Sequence, residues 1–249
     1  MPERKRIHTL DEIRGFCVFC MIFDHCLFTL GYNFGREFSA GLFDFFAYIS
    51  PLFAYTFVLR CGISSRLSRN NALRGARILL VAMIVTFVSY VIMPEMPIEF
   101  GILHMLGSSI LLYCLMEKYV EKFPKGLMCA LCASLFLVTY SIPEMKLGFG
   151  DFSYPLPRSL YESNNFMILG FASPYVAYSD YYPLIPWFFA FLSGVFLGGF
   201  LKDDKAPEWM YKSRVPFFSV LGTNAFFAYI AHQPIAYGIF TVIETFGGI

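Results

Sequence analysis

The sequence predicts an all-α polytopic membrane protein of about seven transmembrane helices, with the N-terminus cytoplasmic and the C-terminus external. Three observations predict it. Hydrophobic residues make up 57% of the 249 residues and charged residues only 15%, with a mean hydropathy of +0.58, against roughly 45–50% and about 25% in a soluble domain. Seven apolar stretches are long enough to cross a hydrocarbon core about 30 Å thick. The basic residues fall on alternate connections, as the positive-inside rule requires.

The stretches run near 13–31, 40–59, 77–93, 101–117, 126–142, 182–201 and 217–245. The first carries Asp24 and His25 with no small-residue cleavage site after it, so it reads as a span and not as a cleaved leader. Thr9 and Glu12 have capping-box spacing at its start, and Asp11 can pair with Arg14 at i, i+3. The last contains Pro234, which predicts a kink or tilt. Sixteen of the 19 basic residues lie at the N-terminus (Arg4 among them) or on the second, fourth and sixth connections, and only Arg36, Lys146 and Arg158 lie on the others. An odd number of spans agrees with that asymmetry. The chain reads as a single domain over 1–249, its one long connection being the outer loop 143–181, rich in Pro and Tyr. Within it, 158–172 fits either a short interfacial helix or an ordinary tyrosine belt.

Composition also excludes. The net charge of +1 gives no reason for a nucleic-acid partner. The CxxC pairs Cys17/Cys20 and Cys129/Cys132 sit inside apolar runs, where Cys acts as a small apolar residue, so no metal site is expected. No internal repeat supports an inverted-repeat transporter.

Ionisable groups inside a span are costly and are functional candidates by default. His25, His104 and His232 qualify, joined by Asp24, Asp44 and Glu244. The predicted orientation places them from the midplane to the outer face, as the lining of a chamber. Arg14, Cys17, Met21 and His25 are spaced by three, four and four, so Arg14 and His25 differ in direction by about 20° and lie roughly 16 Å apart along the axis. An elongated ligand with an anionic head fits that separation. Arg14 reads equally as a snorkelling arginine, His25 as a core histidine bonded to a carbonyl, and His232 as glue between helices. In His232-Gln233-Pro234 the proline leaves the Ile230 carbonyl without its helical donor.

Five blocks carry a resemblance that covers almost the whole chain: LDEIRG at 10–15, MIFDH at 21–25, FGILHMLGSSILL at 100–112, DYYPLIPWFFAFLSG at 180–194, which holds Trp187, and TNAFFAYIAHQPI at 223–235. In these the sequence resembles small bacterial members of the heparan-α-glucosaminide N-acetyltransferase catalytic-domain family, within a wider superfamily of transmembrane acyltransferases. The resemblance implies transfer of an acyl group, acetyl by preference, from cytosolic acyl-CoA to an amine or hydroxyl of an extracytoplasmic sugar or glycan, in a bacterial cytoplasmic membrane. It implies acetyl-CoA as donor, and the charge and position of Arg14, Arg60 and Arg66 fit them to hold its phosphates. His25, with His104 and His232, becomes the catalytic set, as general base or as acyl carrier, and Asp24, Asp44, Trp187 and Gln233 the chamber lining. An unperturbed imidazole, titrating near 6.5, suits a base at neutral pH. Human-type members place the catalytic histidine beyond the first span. No histidine stands between Gly31 and Leu42 here, whereas the superfamily's O-acyltransferase branch has one in the first span after an Arg-Gly pair, as in Arg14-Gly15 and His25. The competing class is a non-enzymatic carrier or an accessory membrane subunit, and a homodimer stays open.

The basic asymmetry generates the first prediction. Reporter fusions at residues 70, 120 and 208 read cytoplasmic, and fusions at 97, 160 and 249 read external. An external signal at 70 overturns the assigned depths.

Overall fold

A computed structural model describes residues 5–202 and 205–247; Arg4 lies outside them. The fold is mostly helical: α1 (His8–Phe28), α2 (Glu37–Ala47), α3 (Ser50–Leu67), α4 (Asn71–Ile92), α5 (Ile102–Val120), α6 (Lys125–Thr139), α7 (Leu184–Gly198), α8 (Pro216–Thr223) and α9 (Ala225–Gly247). Among the described residues four helices are long and apolar enough to cross a membrane, His8–Asn33, Asn71–Ile92, Lys125–Glu144 and Ala225–Phe246; the bent pair α2–α3 makes a fifth. The protein is an integral membrane protein. Its chain forms two compact units, one of Met1–Arg60 with Asp204–Ile249, the other of Cys61–Asp203.

In the first unit α1 packs backbone against backbone on α8. A Cβ placed on Gly15 would lie 1.9 Å from the Phe218 carbonyl oxygen, and one on Gly222 would lie 1.9 Å from the Asp11 carbonyl oxygen. Small residues permit this approach. Phe16 and Phe19 flank it, with their rings edge-on to Phe218 at 5.4 and 5.9 Å. The predicted capping box does not form. Ile7 precedes α1 with no side-chain cap, and the Glu12 carboxylate accepts instead from Ser213 Oγ (2.8 Å), Arg214 N–H (2.6 Å) and Val215 N–H (2.9 Å). It thus caps α8, whose first residue, Pro216, has no N–H to offer. Glu12 is drawn across because one carboxylate satisfies two backbone donors there.

Two predicted spans are interrupted. The stretch 40–59 becomes α2 and α3, bent by 54°, because Pro51 cannot donate to the Ala47 carbonyl, which Ser50 Oγ reaches instead at 3.5 Å. The stretch 217–245 becomes α8 and α9. Its break falls at Asn224, whose side-chain amide donates to the Val220 carbonyl (2.9 Å), while Pro234 lies inside α9.

The second unit centres on α5 and α7, which bury Met105, Ile110, Tyr113, Ala190, Phe191 and Val195 completely. Gly107 meets the Leu79 backbone of α4, and Gly62 of α3 meets the Phe191 carbonyl. At one rim Lys202 Nζ and Arg66 NH2 both pair with Glu121, at 3.0 and 3.1 Å. The Lys202 hydrogen bond, then the two charges, hold the Glu121 carboxyl below its ordinary range. The long loop is irregular: a two-stranded hairpin, β1 (Lys146–Leu147) and β2 (Tyr154–Pro155), then short 3₁₀ turns at Arg158–Leu160 and Met167–Leu169. No interfacial helix forms over 158–172. Asn164 Oδ1 takes the Ser173 N–H (2.9 Å) and Gly170 stands at φ +114°, both of which divert the backbone from a helix.

The α1–α8 contact predicts that Gly222→Val lowers stability by more than the about 1–3 kcal/mol typical of overpacking, because what must yield is backbone. Gly238→Ala, which meets open space, leaves the thermal midpoint of the detergent-purified protein unchanged. Equal midpoints for the two variants would refute the close contact.

Candidate functional site

The first unit gathers two groups of polar side chains along α1. The inner one begins at His25. Beyond it the helix widens into a π-helical turn, Thr29–Asn33, of a kind frequent at functional sites. His25 Nδ1 lies 2.7 Å from His232 Nε2 on α9. The ring centroids are 4.9 Å apart and the planes differ by 22°. The centroid spacing nearly equals the nitrogen separation plus the two ring radii, so the imidazoles meet edge to edge, the geometry of a hydrogen bond directed at a lone pair.

The order of donors follows from the far end. His232 Nδ1 is 2.6 Å from the Tyr229 carbonyl oxygen, which can only accept, so Nδ1 carries the hydrogen of the neutral ring. His232 Nε2 is then a lone pair, and His25 Nδ1–H donates to it. What remains is the His25 Nε2 lone pair. Thr29 fixes the same region: fully buried, it donates to the His25 carbonyl (2.8 Å) and accepts from Gln233 Nε2 (3.2 Å). Consecutive residues His232 and Gln233 of α9 therefore fasten onto α1 one turn apart. Hydrogen bonds between helices in a bilayer contribute about 0.6 kcal/mol on average, so these contacts orient the ring more than they stabilise the fold. The carboxylate oxygen Asp24 Oδ1 is buried with no hydrogen-bond partner among the described residues.

The second group sits at the start of α1. Asp11, 7% exposed, receives Arg14 NH2 (2.6 Å) and Arg60 NH2 (3.3 Å) on one oxygen and Arg6 Nε (2.8 Å) on the other. Arg60 Nε also donates to the Leu10 carbonyl (2.9 Å). Three guanidinium groups thus converge on one carboxylate, an arrangement in which the planar forks are held close together.

The structure thus joins His25, His232 and Gln233 in one group and Arg14 and Arg60 in another. Asp44 accepts from the Tyr32 hydroxyl (2.8 Å) at an exposed position, and Glu244 pairs with Arg36 (2.9 Å). The other sequence candidates belong to the second unit. His104 is buried there with both nitrogens occupied: Nδ1 accepts the Gly101 N–H (3.2 Å), and Nε2–H faces Thr86 Oγ1 (3.1 Å), whose own hydrogen goes to the Ile98 carbonyl (2.7 Å). Arg66 reaches the Tyr113 hydroxyl at 3.3 Å besides Glu121. Trp187 packs among Phe136, Tyr140 and Tyr182. The cysteines are free, and among the described residues no three His, Cys, Asp or Glu side chains gather as a metal-ligand group.

The model of one family, described as heparan-alpha-glucosaminide N-acetyltransferase, catalytic, matches residues 6–234, most of the chain. The chain belongs to that family. No curated protein and no solved structure matches it. Membership in the heparan-alpha-glucosaminide N-acetyltransferase family indicates an acetyltransferase, and the match takes in the arginine cluster and both histidines of the pair. Sequence reading missed Thr29, Tyr229 and the meeting of Arg6 and Arg60 on Asp11. The Asp11–Arg14 spacing was the signal for that cluster; Arg6 lies five residues before Asp11, outside helical i, i+3 and i, i+4 pairing, and Arg60 lies 49 residues away.

The donor order predicts that nitrogen-15 NMR of histidine-labelled protein shows His25 Nε2 as an unprotonated, pyridine-type nitrogen and Nδ1 as protonated at neutral pH. In His232→Ala that preference weakens. The reverse tautomer at His25 in the wild type would refute the assigned order.

Proposed function

We propose that the chain is a membrane acetyltransferase that carries an acetyl group from cytosolic acetyl-CoA to an amine or hydroxyl of an extracytoplasmic sugar. It acts as one acyltransferase domain of seven spans, N-terminus inside, in a bacterial cytoplasmic membrane. The observation that carries this reading is the His25–His232 pair, which leaves the His25 Nε2 lone pair without a partner among the described residues, on the same helix as Arg14, about 16 Å away along the axis.

Arg14 and Arg60, with Arg6, hold the donor's phosphates at the cytoplasmic mouth. The thioester end then lies toward His25. Nε2 accepts the proton of the attacking amine or hydroxyl as its nitrogen or oxygen bonds to the acyl carbon. Collapse of the adduct breaks the carbon–sulfur bond, and the imidazolium returns the proton to the leaving thiolate, giving acetylated acceptor and free CoA. His232 supports the charged ring through its lone pair on Nδ1–H, and the Tyr229 carbonyl supports His232 in turn. Asp24 and Gln233 line the acceptor side. His104, Trp187 and Arg66 build the second unit in this reading, while Asp44 keeps a place at the outer rim.

A general base contributes roughly 10²–10⁴-fold in rate. His25→Ala therefore lowers acetyl transfer by that order while acetyl-CoA still raises the thermal midpoint of the purified protein, as a ligand specific to the native state does. Turnover of the wild type falls toward acid pH, where the base is protonated. Arg14→Ala combined with Arg60→Ala weakens the acetyl-CoA shift, and added salt weakens it further in the wild type. Absence of any shift in the wild type favours a carrier or an accessory subunit. Normal turnover in His25→Ala removes the histidine from the mechanism. An acetyl group trapped on His25 without acceptor, visible by mass spectrometry, assigns the covalent route.

A further inference from the structure

The hairpin after α6 presents the most exposed group of aromatic side chains in the long loop that regular structure holds in place. Phe149, Phe152 and Tyr154 are 59%, 79% and 75% exposed, within one short segment closed by β1 and β2. Its backbone is self-sufficient: Phe152 N–H donates to the Phe149 carbonyl (3.2 Å) and Leu156 N–H to the Met145 carbonyl (2.8 Å). Gly148 stands at φ +108°, and a Cβ on it would strike the Phe152 carbonyl oxygen at 2.3 Å. An ordered, self-bonded segment with three large rings pointing outward needs something apolar to receive them.

Its attachment says what that is. Gly148 N–H donates to the carbonyl of Val138 (2.7 Å) in the last turn of α6, so the hairpin is tied to the end of the candidate span Lys125–Glu144. Val138 continues an exposed apolar face of that helix with Leu127 and Leu131, spaced by four and seven. Such a face on a span meets lipid. The aromatic tip prolongs it past the helix end, at the level where aromatic rings concentrate in the membrane–water interface. Exposed Lys146 and Asp151 on the same hairpin supply charges for zwitterionic headgroups.

We infer that the hairpin 146–155 is a membrane-surface foot, which seats Phe149, Phe152 and Tyr154 in the headgroup–acyl boundary of the bilayer that α6 crosses. The foot holds the start of the long outer loop against the lipid surface, independently of any catalytic reading.

Photo-crosslinking tests it. The full chain carrying p-benzoylphenylalanine at Phe152, or at Phe149, is reconstituted in vesicles of phosphatidylcholine with a minor share of phosphatidylglycerol and irradiated. Mass spectrometry shows phospholipid adducts at both positions, in yields several-fold above those at Glu162, an exposed residue of the same loop. A yield at 149 and 152 no higher than at 162 overturns the inference. So does a product of doubled mass, which would assign the tip to a second copy of the chain.

Discussion

A polar group inside a bilayer has no water to turn to, and each must find its partner within the protein. That constraint shapes this fold from its smallest contacts upward. Serine and threonine hydroxyls repeatedly bond back into the preceding turn of their own helix, as Ser65 does to Cys61, Thr56 to Leu52, Thr139 to Leu135 and Thr241 to Tyr237. Thr29 does the same to His25 but has an oxygen lone pair left over, and Gln233 uses it. The histidines obey the same rule with different results. His104 spends both nitrogens on its surroundings and becomes a structural side chain. His25 spends only one, and an imidazole with one nitrogen held and the other free is the form of histidine that can take a proton from something else.

The two polar groups of the first unit are made by opposite devices. The inner pair is neutral and directional, its order fixed by one carbonyl at the end of the row. The arginine cluster is charged and convergent, with a buried carboxylate keeping three guanidinium groups close that would otherwise repel one another. Asp11 thereby fixes the relative positions of the three guanidinium forks. Between the groups runs an uninterrupted stretch of α1, gripped by α8 through the glycine contact beside Arg14.

Much of this was legible in the sequence. Hydropathy gave the helical membrane class. The five motif blocks pointed to the family that the comparison then showed. What escaped were mainly the contacts between residues distant along the chain, and with them the local bonds of Thr29 and Tyr229 that complete the histidine pair. No local pattern joins His25 to His232, or Arg60 to Asp11, because tertiary packing alone decides those pairs. Glu12 misled for a related reason. Its spacing from Thr9 is that of a capping box, yet the donors left open before Pro216 offered its carboxylate more. The helix breaks at Pro51 and Asn224 were visible as residues but outvoted by the apolar runs around them. The apolar periodicity of 217–245 carries no mark of a break that one asparagine side chain stabilises.

The unbroken stretch of α1 between Arg14 and His25 works as a ruler. Inserting or deleting a single residue there would turn one end against the other by about 100° and move it by about 1.5 Å, and no side-chain change elsewhere could restore both. Gly15 apart, residues 16–23 can change in composition wherever packing allows, but a change in their number shifts the register of the two ends. The spacing of the two polar groups along α1 is therefore set by the number of residues between them, and any chemistry that uses both ends depends on that number.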